Sequence, residues 1–90
     1  MEGKPKEIAS RSHFDRIKND DTSAILVINE DKEELKNYIG PNSFAEIAFA
    51  FYFHKKKFLL QDIYEPYKDE LEGWHVIHLY NDIESIKRYL

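Results

Sequence analysis

The ninety-residue chain reads as a small α/β domain, a short parallel sheet of about three strands with flanking helices. Three observations predict it. Ala24-Ile25-Leu26-Val27-Ile28 is a continuous apolar run, rich in β-branched residues and bounded by polar turn residues, which fits a strand buried on both faces. Short apolar runs recur at Lys57-Phe58-Leu59-Leu60 and Trp74-His75-Val76-Ile77-His78-Leu79. Segments with helical spacing alternate with these runs, and such alternation leads to parallel strands joined by right-handed crossovers.

The elements follow in order. Residues 1–7 mix Gly, Pro and charges and are expected as a flexible tail, leaving residues 8–90 as a single domain. Ile8, Phe14 and Ile17 recur among charges and predict an amphipathic helix that ends before Asn19-Asp20-Asp21-Thr22. After the first strand, Asn29-Glu30-Asp31 leads into a charged segment expected to make one or two helical turns through Lys36. Gly40-Pro41 breaks the chain. From Ser43 to His54 the sequence SFAEIAFAFYFH places apolar residues on most sides of a helix. Tyr64-Glu65-Pro66-Tyr67 turns the chain, Lys68–Glu72 makes a helical turn, and Asn81 or Asp82 caps a last helix carrying Ile83, Ile86 and Leu90.

Composition narrows the function classes. Net charge is −4, so a nucleic-acid backbone is not the expected partner. The basic run Lys55-Lys56-Lys57 reads as a solvated turn with cations at a helix C-terminus. There is no cysteine, which fits a reducing, cytoplasmic setting, and no apolar run approaches the ~20 residues of a membrane span. Gly3, Gly40 and Gly73 are isolated, so no phosphate-cradling loop is present and no cofactor is expected. His75 and His78 would face opposite ways on one strand, which argues against a metal site, while His13 and His54 stand alone. Asp69-Glu70-Glu72 reads as a solvated acidic face.

Glu46 is the one charged residue between Asn42 and Tyr52. Two readings are open. Ser43-Phe44-Ala45-Glu46 has the S-x-x-E form of a capping box, in which Glu46 bonds back to the Ser43 amide. If Pro41 is instead the first helical residue, Glu46 lies too deep to cap, and a carboxylate among aromatics suits a general acid or a nucleophile. Asn42 and Ser43 stand where a helix N-terminus meets polar ligands. The helix has more apolar surface than three strands can cover, which predicts a homodimer through its aromatic face.

The segments Ala24–Asn29, Lys36–Ala50, Lys56–Leu60 and Asp69–Glu72 together resemble nucleoside 2-deoxyribosyltransferase-like proteins. The match runs over residues 12–85, and KNYIGPNSFAEIAFAF (36–51) is its most specific part. The resemblance implies a three-layer Rossmann-like fold and a nucleoside or nucleotide ligand. Glu46 falls at the position of the family's nucleophile, which attacks the anomeric carbon and releases the base. Asn29, Gly40, Asn42 and Ser43 are implied around the substrate, with Gly40 standing where the transferases carry an acidic residue. A β-α-β segment precedes the matched region in the family, so the resemblance implies a site with one wall fewer, or one completed by a partner chain. A non-catalytic nucleotide-binding or homo-oligomerising domain is the alternative.

Overall fold

The computed structural model describes residues 3–90. Its elements are α1 (Gly3–Lys18), β1 (Ala24–Val27), α2 (Pro41–Tyr52), β2 (Lys56–Leu59), a 3₁₀ turn (Glu65–Tyr67), α3 (Lys68–Gly73), β3 (Ile77–His78) and a C-terminal 3₁₀ segment (Ile83–Arg88). The three strands form one parallel sheet in the order β1-β2-β3. This is the small Rossmann-like α/β arrangement expected.

One face of the sheet carries the main core. Val27 and Leu59, paired across β1 and β2, pack with Ile39, Ile47, Leu71 and Val76. Phe44 of α2 stacks on Tyr67 at 4.0 Å and lies 5.2 Å from Trp74, so the 3₁₀ turn and α3 close over that end of α2. On the outer side of α2, Phe14 of α1 stacks on Phe49 at 4.7 Å. The back face is thinner. Phe58, the register partner of Leu26, is buried there against Tyr89, 5.8 Å away, and Lys56 donates to the Tyr89 carbonyl.

Proline at the first helical position sets the start of α2, with Gly40 as an extended N-cap and the Phe44 amide donating to the Gly40 carbonyl at 3.0 Å. The capping-box reading therefore fails: Ser43 lies inside the first turn, and Glu46 lies beyond reach of the helix end. A Cβ at Gly40 would meet the Tyr38 ring at 3.6 Å, an ordinary contact, so neither space nor φ demands glycine there.

Two histidines end helices. His54 and His75 adopt left-handed φ of 58° and 59°. Their amides donate to Phe51 and Glu72, and the next amides, of Lys55 and Val76, reach back to Ala50 and Leu71. This is the Schellman pattern, in which glycine usually takes the left-handed position. Relieving that conformation, His54→Gly and His75→Gly should each raise stability by about 0.5–1 kcal/mol, readable as a higher thermal midpoint. A drop in midpoint for both would show that their side chains matter more than their backbone.

Several expectations need correction. The first helix begins at Gly3, so residues 3–7 of the expected tail are helical, while Met1 and Glu2 lie outside the described residues. Ile8 is exposed, and only Phe14 and Ile17 turn inward. The charged segment after β1 is not helical. It is a tight turn closed by reciprocal Lys32–Leu35 backbone bonds, with Glu33 at φ 55°. With Leu35 as its sole apolar residue, the segment has no face whose burial would offset helix nucleation. The third strand shrinks to two residues because Trp74 and His75 are used to end α3. The last helix is 3₁₀, too short to gain from α-helical cooperativity. Lys57 is not a solvated turn residue: its stem is buried and its ammonium donates to the Lys55 carbonyl at 2.8 Å. Burial lowers its pKa from the ordinary lysine value. Finally, part of α2's apolar surface is covered within the chain, Phe49 by Phe14 of α1 and Phe44 by Tyr67 and Trp74, while Phe51 and Tyr52 stay exposed.

Candidate functional site

A cleft of about 350 Å³ opens between α1 and α2. On α1 it is lined at helical spacing by Lys6, Ala9, Ser10, His13 and Phe14, and on α2 by Asn42, Ala45 and Glu46. The space exists because Ala9, Ser10 and Ala45 are small where the two helices approach, and the Phe14–Phe49 stack bounds one end. Glu46 is one helical turn beyond Asn42, so the pair presents along one stripe. His13 Nδ1 lies 3.6 Å from Glu46 Oε1. The carboxylate thus faces an imidazole delivered by another element, neither the Ser43 amide nor a pocket at the strand ends.

The expected site residues separate into two groups. Glu46 and Asn42 come together in the cleft; Gly40 is the N-cap of α2, and Ser43 does not line the cleft. Asn29 is fully buried and wholly engaged. Its Nδ2 donates to the carbonyls of Asn37 (3.3 Å) and Asp62 (2.8 Å), and its Oδ1 accepts from the Gln61 amide at 2.8 Å. Asn37 Nδ2 in turn reaches the Ile63 carbonyl. The loops after β1 and β2 are therefore tied together at the strand carboxyl ends, the region where open α/β sheets ordinarily take ligands. Asn29 is a loop clamp rather than a substrate ligand.

Sequence reasoning missed His13. Its phase with Ser10 and Phe14 on α1 was visible, but its meeting with Glu46 depends on how α1 docks. His75 and His78 do not share a strand, since His75 ends α3. Among the described residues no group of three or more His, Asp or Glu side chains is placed to hold a metal, and no helix is long and apolar enough to cross a membrane.

Two groups near the strand ends titrate away from their ordinary values. The Asn37 amide, then the Lys36 ammonium, hold the Asp31 carboxyl below the usual carboxylate range. Burial pushes the His78 imidazole down, with Asp62 and Glu72 opposing, and its Nε2 is buried with no hydrogen-bond partner. The folded protein therefore resists protonating His78, whereas the unfolded chain takes that proton near the ordinary histidine value of 6.5. Stability must fall as pH drops through 6.5 toward the folded value. Asp31 acts in the same direction at lower pH, its contribution vanishing as pH falls through its depressed folded value. Thermal midpoints at pH 7.5 and 5.5 check this: the midpoint should be lower at 5.5, and His78→Gln should shrink the difference. An unchanged difference in that variant would remove His78 from the account.

In comparisons with known proteins, no family model, curated protein or solved structure matches the chain.

Proposed function

We propose that this chain is a nucleoside 2-deoxyribosyltransferase-like domain whose α1–α2 cleft takes a nucleoside or nucleotide, with Glu46 as the carboxylate that meets the sugar. One observation carries this reading: Glu46, free of any capping role, shares a cleft with His13 at 3.6 Å and with Asn42. The cleft's volume is within the range of small-ligand sites. Asn42 supplies an amide for a sugar hydroxyl, and the Phe14 ring offers an apolar surface for a base. The resemblance of residues 36–51 supplies the ligand class.

In the catalytic form of this reading, a Glu46 carboxylate oxygen attacks the anomeric carbon as the N-glycosidic bond breaks. The departing base takes its proton from the His13 imidazolium, leaving a glycosyl ester on Glu46. Water or a second base then attacks the same carbon, gives its proton to neutral His13 and frees the carboxylate. The alternative is a binding domain that keeps the fold without turnover. The Asn29 clamp favours it, because tied loops occupy the strand ends where a second wall of the site would stand.

Incubation with 2′-deoxynucleosides and with nucleoside monophosphates, read as free base by chromatography, separates the two. The catalytic form predicts base release that Glu46→Gln lowers by at least about 10³-fold, with binding changed far less. No release, but ligand-dependent NMR shifts at His13, Asn42 and Glu46, would leave the binding domain. The whole reading is discarded if neither is seen, or if release is unchanged in Glu46→Gln.

A further inference from the structure

β1 is an edge strand, and among the described residues its outer edge takes no backbone hydrogen bond from another element. Sheets usually blunt such edges with lysine, proline, a bulge or a covering element, and Ala24–Ile28 holds none of these side chains. The amides of Lys56 and Leu60 donate to the carbonyls of Ser23 and Val27, so Ser23, Ile25 and Val27 face β2. In a parallel ladder the intervening residues then turn their N–H and C=O outward, here Ala24 and Leu26, and the same alternation continued one residue past β1 adds Ile28. Their side chains share the back face, where Leu26 is 37% and Ile28 54% exposed. The other edge, β3, is only two residues long.

We propose that two copies of this chain join β1 to β1, antiparallel about a twofold axis through Leu26, forming one continuous six-stranded sheet. The segment is self-complementary in that register. Leu26 stands opposite the partner's Leu26, and Ala24 opposite the partner's Ile28. Every outward N–H and C=O of these residues then gains a partner, while a register shifted by two positions leaves a pair unmatched at each end. Size matches as well, since the two leucines meet at the centre and each isoleucine lies over the smaller alanine. No charged side chain lies in 24–28, so closure desolvates no ion. On the back face Leu26 and Ile28 are exposed beside the buried Phe58, and the twofold axis would bring them against the partner's Leu26 and the partner's Ile28. The competing surface, the aromatic face of α2, is partly occupied, Phe49 by Phe14 and Phe44 by Tyr67, and keeps Phe51 and Tyr52 exposed. This inference is independent of Glu46, whose helix lies on the opposite face of the sheet.

The chain has no cysteine, which permits a direct test. Opposed hydrogen-bonded residues in an antiparallel pair have Cα atoms about 5.5 Å apart, within disulfide range. Under mild oxidation Leu26→Cys should form a covalent dimer. Ala24→Cys and Ile28→Cys should each stay largely uncrosslinked alone and crosslink when mixed. Tyr52→Cys, on exposed α2 surface, is the background control. Light scattering on the unmodified chain should give twice the mass of one chain at high concentration. Leu26→Lys should weaken association by at least about tenfold, with unchanged circular dichroism verifying its fold. A monomer at every concentration overturns the proposal. So does a dimer in which Leu26→Cys crosslinks no faster than Tyr52→Cys.

Discussion

Replacing Asn29 with Asp should lower the unfolding free energy by at least about 3 kcal/mol, although one amide nitrogen becoming an oxygen is the whole chemical change. The Asn29 side chain donates to the carbonyls of Asn37 and Asp62 and accepts from the Gln61 amide. A carboxylate has no donor, so two acceptors would face it in a fully buried position. A domain of this length has about 5–13 kcal/mol of total stability, so the loss is a large share. Asn29→Ala should cost somewhat less, about 2–3 kcal/mol, because it orphans the loop groups without burying a charge. Urea midpoints at constant slope measure both. A cost below about 1 kcal/mol for Asn29→Asp would mean that the two loops hold together without the clamp.

Leu59→Ala should cost about 3 kcal/mol or more. Leu59 lies on the central strand, fully buried, between Val27 on one side and His78 on the other, under the Ile47 face of α2. Removing its side chain leaves a cavity where every layer of the main core meets, and the flanking strands cannot close it without breaking their ladder. Leu26→Ala is the matched control. Its side chain is partly solvated on the thin back face, so the same deletion should cost about 1 kcal/mol in the monomer. Equal losses at the two positions would contradict this placement of the core.

The strongly patterned parts of the chain were legible in the sequence. The run at 24–28 made a parallel strand, the segment after Pro41 made a helix, and the run around Leu59 made the central strand. The weakly patterned parts were not. The charged segment through Lys36 was expected to make one or two helical turns, but Asp31 instead folds back to accept from the Asn37 amide and the Lys36 ammonium. His54 and His75 gave no local sign of left-handed caps, because glycine is the usual signal and neither is glycine.

The candidate site divides in the same way. Glu46 was legible as an isolated carboxylate in an apolar helix, and Asn42 as its neighbour one turn earlier, because both follow from spacing on a single element. His13 was not, since it stands thirty-three positions from Glu46 in sequence and meets it through the docking of α1 on α2, in which Phe14 stacks on Phe49. Asn29 was visible as a polar residue at a strand end, yet its role depended on where the loop after β2 comes to lie. By itself the sequence determined where the strongly patterned strands and helix lie and which of their residues are apolar, because periodicity is a local property. Only the tertiary structure decided which of those faces meet, and so which polar groups are consumed in the fold and which remain to meet a ligand, because packing depends on partners distant along the chain.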